Sequence, residues 1–243
     1  MMGRSDAAAT IETALASGRK SLDPRECEAV LGAYGIRVPR SALAENLEQA
    51  LQAAEDLSFP VVMKIASEDI VHKSDVGGVK VGIGSKQALE NAYGEMITTV
   101  RANCPEASIE GVLLQQMVKG LQEVIVGLSR DPVFGPVVLV GLGGVWVELL
   151  RDISLRICPV EKEDAVEMLK ELKAYSLLNG FRGDEPTDVD SLVNLVLAVS
   201  RMGMDLDDLA EMDLNPVKVG PRGAGAMAVD YRIILNSARP SDG

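Results

Sequence analysis

One histidine occurs in the chain, in the run Ile70-Val71-His72-Lys73-Ser74-Asp75-Val76-Gly77-Gly78-Val79-Lys80. Imidazole is a nucleophile near neutral pH and carries a phosphoryl group covalently. Paired glycines let backbone N–H groups approach phosphate oxygens closely. The two features together point to phosphoryl movement between a nucleotide and His72. The plainer reading of the same run is a surface loop turned by its glycines.

Other residues suit the same chemistry. Lys64 follows the apolar run Phe59-Pro60-Val61-Val62-Met63. A cation there must reach a cleft or an anion, because an unpaired buried ammonium is costly. It reads either as a phosphate-binding lysine or as a lysine snorkelling from a strand edge. Leu113-Leu114-Gln115-Gln116-Met117-Val118 is an apolar strand ending in amides, and its backbone could meet an adenine edge or simply form a buried strand and turn. Gly141-Leu142-Gly143-Gly144 lacks the Gly-Lys-Ser/Thr of a Walker loop. It leads to Glu148, an acid in an apolar stretch, and Glu123 is a similar strand acid. In Glu211-Met212-Asp213-Leu214-Asn215-Pro216-Val217, Asp213 and Asn215 are spaced to share one strand face. A hairpin turned at Gly220-Pro221-Arg222-Gly223 would bring Asp230 beside Asn215. Such oxygen donors suit Mg²⁺, which takes one or two protein ligands beside phosphates and water. A polar strand surface is the alternative.

Composition narrows the partners. A net charge of −12 and 3% aromatic residues speak against nucleic acid, which asks for a basic face and stacking rings. ATP remains compatible, since a few lysines and a divalent metal handle its phosphates. Cys27, Cys104 and Cys158 fit neither a zinc spacing nor a disulfide framework, so a reducing, cytoplasmic compartment is expected. The longest uncharged stretch, Pro132–Val147, is shorter than the roughly 18 apolar residues of a spanning helix and is broken by prolines and glycines, so no membrane segment is expected.

These residues need elements to position them. Residues 1–20 read as a loosely attached helical tail. A helix capped by Ser21 or Asp23 starts at Pro24 and stops at Tyr34-Gly35. Leu47–Leu57 has helical apolar spacing. A buried strand ends near Lys64, Val79–Ile83 is a second strand, and Ser85 caps a helix to Ala102. Further strands are expected at Gly111–Met117, Glu123–Leu128, Val137–Val140, Val145–Leu149 and Leu155–Pro159. Helices are expected at Glu161–Leu172 and Val189–Met202, and a closing hairpin at Leu214–Val219 and Gly225–Asp230. Strands and helices mix without strict βαβ alternation, which indicates α+β layers with helices on one side of the sheets. The apolar stretch Val133–Leu150 reads equally as core or as contact surface.

Pro60-Val61-Val62-Met63-Lys64, His72-Lys73-Ser74-Asp75-Val76-Gly77-Gly78-Val79, Glu123-Val124-Ile125-Val126-Gly127, Gly143-Gly144-Val145 with Glu148, and Leu214-Asn215-Pro216 occur in that order. In this order they resemble the ATP-grasp β subunit of ADP-forming acyl-CoA synthetases, over about residues 20–236. The Leu-Asn-Pro element with a later Asp also looks like the succinyl-CoA synthetase β subunit. The resemblance implies an α+β ATP-grasp domain over 21–236, with two subdomains clasping nucleotide. The smaller spans about 60–117 and the larger 118–236, between tails 1–20 and 237–243. By the same resemblance Lys64 contacts the phosphates, and Gly77, Gly78 and Val79 cover them. Gln116, Met117 and Val118 line the adenine, and Glu123 meets adenine or ribose. Asn215 and Asp230 hold Mg²⁺, with Glu148 contributing. His72 is the phosphohistidine that takes its phosphoryl group from a first histidine on an α subunit and passes it to ADP.

The implied reaction is acyl-CoA + ADP + phosphate ⇌ carboxylate + ATP + CoA. No CoA-binding domain and no second histidine occur in the chain, so an α subunit is required, as an α2β2 assembly. Two rivals stand beside this reading: a regulatory ATP-grasp module like that of protein acetyltransferases, and an ATP-grasp ligase that forms an acyl phosphate directly and needs no histidine.

Overall fold

The computed structural model describes residues 3–67, 69–70, 73–144, 151–181 and 183–236. His72, Glu148 and the strand expected at Val145–Leu149 lie outside the described residues. The chain divides into two compact units, one formed by Pro39–Val118 and the other by Met1–Val38 with Lys119–Gly243. The smaller unit thus starts about twenty residues before position 60. Residues 39–59 supply it with an edge strand and a helix.

The smaller unit contains β1 (Ser41–Ala44), α3 (Leu47–Leu57), β2 (Val61–Ala66), β3 (Val79–Ile83), α4 (Lys86–Asn103) and β4 (Gly111–Gln116). Its four strands form one antiparallel sheet in the order β1-β4-β2-β3. Asn46 and Ser85 cap α3 and α4 by accepting N–H groups from Gln49 and Ala88. The helices bring Ala50, Ala54, Leu89, Met96 and Val100 into one core with Val61, Met63 and Ile65 of β2. Burying each large side chain of that set contributes about 1.5–3 kcal/mol. Strand alternation places Val62 and Lys64 on the opposite face of β2. The strand continues two residues past Lys64, because Ile65 and Ala66 stay in register with Val112 and Gly111.

The larger unit contains α1 (Arg4–Ala16), α2 (Pro24–Ala33), β5 (Gln122–Asp131), β6 (Gly135–Leu142), β7 (Ile153–Ile157), α5 (Lys162–Glu171), α6 (Val189–Asp205), β8 (Leu209–Val219), β9 (Ala226–Ala228) and β10 (Tyr231–Leu235). Its sheet runs β10-β8-β5-β6-β7, with β9 also paired to β8. The inner face of this sheet presents Val124, Val126, Leu128, Val138, Val140, Leu142, Met212 and Leu214 to the helices. The outer face, reached by the alternate residues, includes Ser129, Gly127, Leu139, Leu155, Glu211 and Asp213.

The amino terminus departs from the expected loose tail. Helix α1 forms, and Ala7, Ile11 and Ala14 are fully buried in the core of the larger unit. The Arg4 guanidinium lies 5.4 Å from the centre of the Tyr34 ring and 3.6 Å from the Asp205 carboxylate. Alanines on the buried face allow close helix packing without the large apolar stripe by which a docked helix is usually read.

Candidate functional site

In the smaller unit the site builds outward from β2. Lys64 is 8% exposed and lies between Val79 on β3 and Leu113 on β4. Gln115 shares its face of the sheet and is also buried. The loop from β2 to β3 is anchored at both ends. Ile70 is buried in the core, and Asp69 accepts the Ser108 N–H at 2.8 Å. After residue 72 the chain makes one tight turn. The Gly78 N–H donates to the Lys73 carbonyl at 2.7 Å and the Gly77 N–H to the Ser74 carbonyl at 3.2 Å. Gly77 has φ +76°, so the turn closes as helix C-termini do, with glycine in the left-handed position. A Cβ on Gly78 would stand 2.6 Å from Ile65 Cγ2 and 2.9 Å from the Lys73 carbonyl oxygen.

The two glycines therefore serve a different purpose from the one expected of them. Their N–H groups are committed inside the turn, and their lack of side chains lets the loop lie against β2 and α4. Asn103 of α4 fastens it further by donating to the Val76 carbonyl at 3.2 Å. Residues 73–78 thus form a compact turn. Any cover it gives to phosphates comes from its shape.

In the larger unit β8 meets β9 and β10 in a single register, from Val217 opposite Ala228 to Leu214 opposite Tyr231. That register makes Asn215 the cross-strand neighbour of Asp230, and the Asn215 N–H donates to the Asp230 carbonyl at 3.1 Å. Cross-strand neighbours hold their Cβ atoms roughly 4.5–5.5 Å apart on one face. Both residues are exposed, as oxygen donors for a metal–nucleotide complex must be. Asp213, opposite Arg232, lies next along the same strand. Desolvation of its carboxyl, then the negative charges of Glu211 and Asp230, push Asp213 above its ordinary value, and Arg232 partly offsets them. Among the described residues no three His, Cys, Asp or Glu side chains converge as a metal cage. The donors present fit Mg²⁺ carried in with a nucleotide, which needs only one or two protein ligands.

The remaining candidates are spread along the chain. Gln116 ends β4 and donates its N–H to the Arg40 carbonyl at 2.9 Å, while Met117 and Val118 carry the chain to the larger unit. Glu123 is exposed at the start of β5 and lies 3.3 Å from Lys218 Nζ. Gly143 packs on the Glu123 backbone, where its own Cβ would come within 3.1 Å of the carbonyl, and its N–H donates to that oxygen at 2.8 Å. Asp213 was expected beside Asn215; two further residues join the set on geometric grounds, Glu211 and Arg232. The two-residue spacing of Asp213 to Asn215 and of Arg232 to Asp230 is the signal that places them on one face.

Residues 13–235 match the family described as ATP-grasp domain. Subunit beta of the ADP-forming acetate–CoA ligase II of Pyrococcus furiosus is 44% identical, over 96% of this chain and 99% of its own length. The ADP-forming acetate–CoA ligase I of Archaeoglobus fulgidus is 47% identical over 96% of this chain, which spans only 33% of that longer protein. The dinucleotide-forming acetyl-coenzyme A synthetase 1 of Ca. Korarchaeum cryptofilum, solved with coenzyme A and Ca-AMPCP, superposes with a TM-score of 0.90 at 46% identity, covering 95% of this chain and all of that one. In another complex of that enzyme, with Mg-AMPPCP, a phosphohistidine segment points towards the nucleotide site (TM-score 0.81, 43% identity, covering 95% and 100%).

Proposed function

Because the chain belongs to the ATP-grasp family, among the beta subunits of ADP-forming acetate–CoA ligases, we propose that it is the nucleotide-binding subunit of an ADP-forming acid–CoA ligase. In this reading a phosphoryl group moves between His72 and ADP during acyl-CoA + ADP + phosphate ⇌ carboxylate + ATP + CoA. Phosphate displaces CoA from the acyl group on a partner α subunit. The acyl phosphate passes its phosphoryl group to a histidine of that subunit and releases the carboxylate. His72 accepts the group, and the β-phosphate oxygen of ADP takes it from His72 to form ATP. The assembly is proposed to be α2β2.

The observation that carries this reading is the exposed cross-strand pair Asn215–Asp230, two oxygen donors held side by side by the register of β8. Mg²⁺ bound there with the nucleotide would spread the negative charge of the phosphates, and Glu148 is proposed to contribute to the same site. Lys64 is proposed to neutralise the transferred group from a fixed strand position, so that its charge needs no reorganisation during transfer. Gly77, Gly78 and Val79 are proposed to shape the loop over the phosphates. Gln116, Met117 and Val118 are proposed to border adenine, with Glu123 at adenine or ribose. Asp75 is proposed to orient the His72 ring.

The test is phosphorylation of the chain by γ-labelled ATP with Mg²⁺, alone and with its α subunit. An acid-labile, base-stable label that returns to added ADP, and is lost in His72→Ala, is expected. Nucleotide binding with no label in either preparation points instead to a non-catalytic ATP-grasp module.

A further inference from the structure

The apolar stretch that begins at Val133 divides in the structure. Val138, Val140 and Leu142 enter the core. Val133 and Phe134, at the tip of the β5–β6 hairpin, are 80% and 62% exposed. The tip is tied by Asp131 Oδ1, which accepts both the Val133 N–H at 2.8 Å and the Phe134 N–H at 3.0 Å. Beside it lies β7, at the end of the sheet path among the described residues. The outer face of β7 shows Ile153, Leu155 and Ile157, which are 42%, 49% and 51% exposed. Its inner face is tied down: Ser154 and Arg156 both bond the Glu171 carboxylate of α5, at 2.6 Å and 2.5 Å. The strand is therefore held with three large aliphatic side chains facing outward.

This patch continues into the candidate site. Leu155 lies opposite Leu139, Leu139 opposite Gly127, and Gly127 opposite Asp213. One face of the sheet thus runs from carboxylates at β8 to bare aliphatic side chains at β7. Solvent-facing apolar side chains grouped on one edge mark an interaction surface.

We infer that the outer face of β7 and the β5–β6 hairpin tip dock the partner subunit that supplies the acyl and CoA chemistry. The inference rests on the functional reading above. Two observations select this occupant. The Archaeoglobus relative joins a module like this chain to twice as much further polypeptide, whereas the Pyrococcus relative is a separate subunit. Where the two parts are separate chains, as in the Pyrococcus relative, a face must hold them together non-covalently. A partner seated on β7 also comes to the same sheet face as Asp213, where its phosphoryl group is required. A second copy of this chain is disfavoured by its net charge of −12, which makes two copies repel. The partner's matching surface is apolar and extended, with few charges.

The test is association of the full chain with its cognate α subunit, measured by calorimetry or sedimentation. The variants are Leu155→Lys with Ile157→Lys, Phe134→Ser, and Met204→Lys as a control at an exposed apolar position on α6. The inference expects the β7 and tip variants to weaken association at least tenfold while keeping wild-type melting and Mg-ATP binding. Met204→Lys should associate as wild type does. Wild-type association by the β7 and tip variants overturns the docking assignment and leaves the functional reading intact, provided His72 still labels. A chain that neither labels nor associates sinks both. A homodimer that the β7 variants dissociate assigns the face to a second copy and overturns the inference.

Discussion

Asp213 carries the sharpest consequence at the scale of single residues. Its carboxyl is held above its ordinary value, so the folded chain binds more protons than the unfolded chain just above the usual carboxylate range. Stability therefore falls as pH rises through that window. Asp213→Asn removes this effect, and in the absence of Mg²⁺ the variant is expected to melt at a higher temperature than the wild type at pH 7. Adding Mg²⁺ should narrow the difference, because a cation on the face relieves the repulsion between Asp213 and Asp230. Thermal melts from pH 4 to 7, with and without Mg²⁺, decide it: equal pH slopes for the two proteins would refute the electrostatic account. The glycine pair was legible only in part. That Gly77 and Gly78 stand at a turn follows from residue type. That their N–H groups face inward follows from hydrogen bonds to Lys73 and Ser74, which spacing does not reveal.

Among the elements, the sheet of the larger unit is held to α6 and to the β8–β9 turn by two side chains that bond to backbone. Arg130 on β5 donates to the carbonyls of Gly203, Leu206 and Leu209, at 2.7, 2.7 and 2.8 Å, and so closes the carboxyl end of α6. Asp188 caps the amino end of α6, accepting the Ser191 N–H at 3.1 Å, and its other oxygen accepts the N–H groups of Gly223 and Gly225. The turn of the β8–β9 hairpin is thereby tied to the start of a buried helix, upstream of Asp230. Arg130→Ala is expected to cost about 2–3 kcal/mol, since it removes three charge-assisted bonds to partly buried carbonyls, of which Leu206 keeps the Leu209 N–H. The urea midpoint should drop with an unchanged m-value; an unchanged midpoint would show that water replaces the guanidinium freely. Element existence followed well from sequence wherever apolar periodicity was strong, as in α3, α4, β2 and β5. The helix expected in residues 1–20 also forms, as α1, but its attachment was misjudged: its buried face is mostly alanine, so that packing rather than hydrophobic contrast holds it to the core.

For the whole molecule, the division into two units assigns Lys64 to one and the Asn215–Asp230 pair to the other. Nucleotide that binds the folded chain raises its stability by mass action, by about 2.7 kcal/mol at a hundred times the dissociation constant. Mg-ATP is accordingly expected to raise the melting temperature by several degrees. ATP with EDTA should raise it less, and Asn215→Ala with Asp230→Ala should erase the difference between the two conditions. A Mg²⁺-dependent shift that survives in the double variant would remove these two residues from the metal site. Among the described residues no helix is long and apolar enough to cross a membrane.

The amino-acid sequence by itself determined most of the elements, though not β10, and the chemical vocabulary of this protein. Periodicity marks strands and helices because burial follows the geometry of each element, and the functional groups of His72, Lys64, Asn215 and Asp230 are of the kinds that suit phosphate and metal chemistry. It also indicated a turn of glycine and proline that allows Asp230 to return beside Asn215, and the register of β8 with β9 and β10 settles that they are neighbours. Only the tertiary structure decided which residues share a face across different strands. Register between β8, β5, β6 and β7 is a long-range property, and it alone joins Asp213 to Leu139 and Leu155. The same holds for the stretch from Val133. Its residues are equally apolar in sequence, and the hairpin that buries Val138 leaves Val133 and Phe134 in solvent.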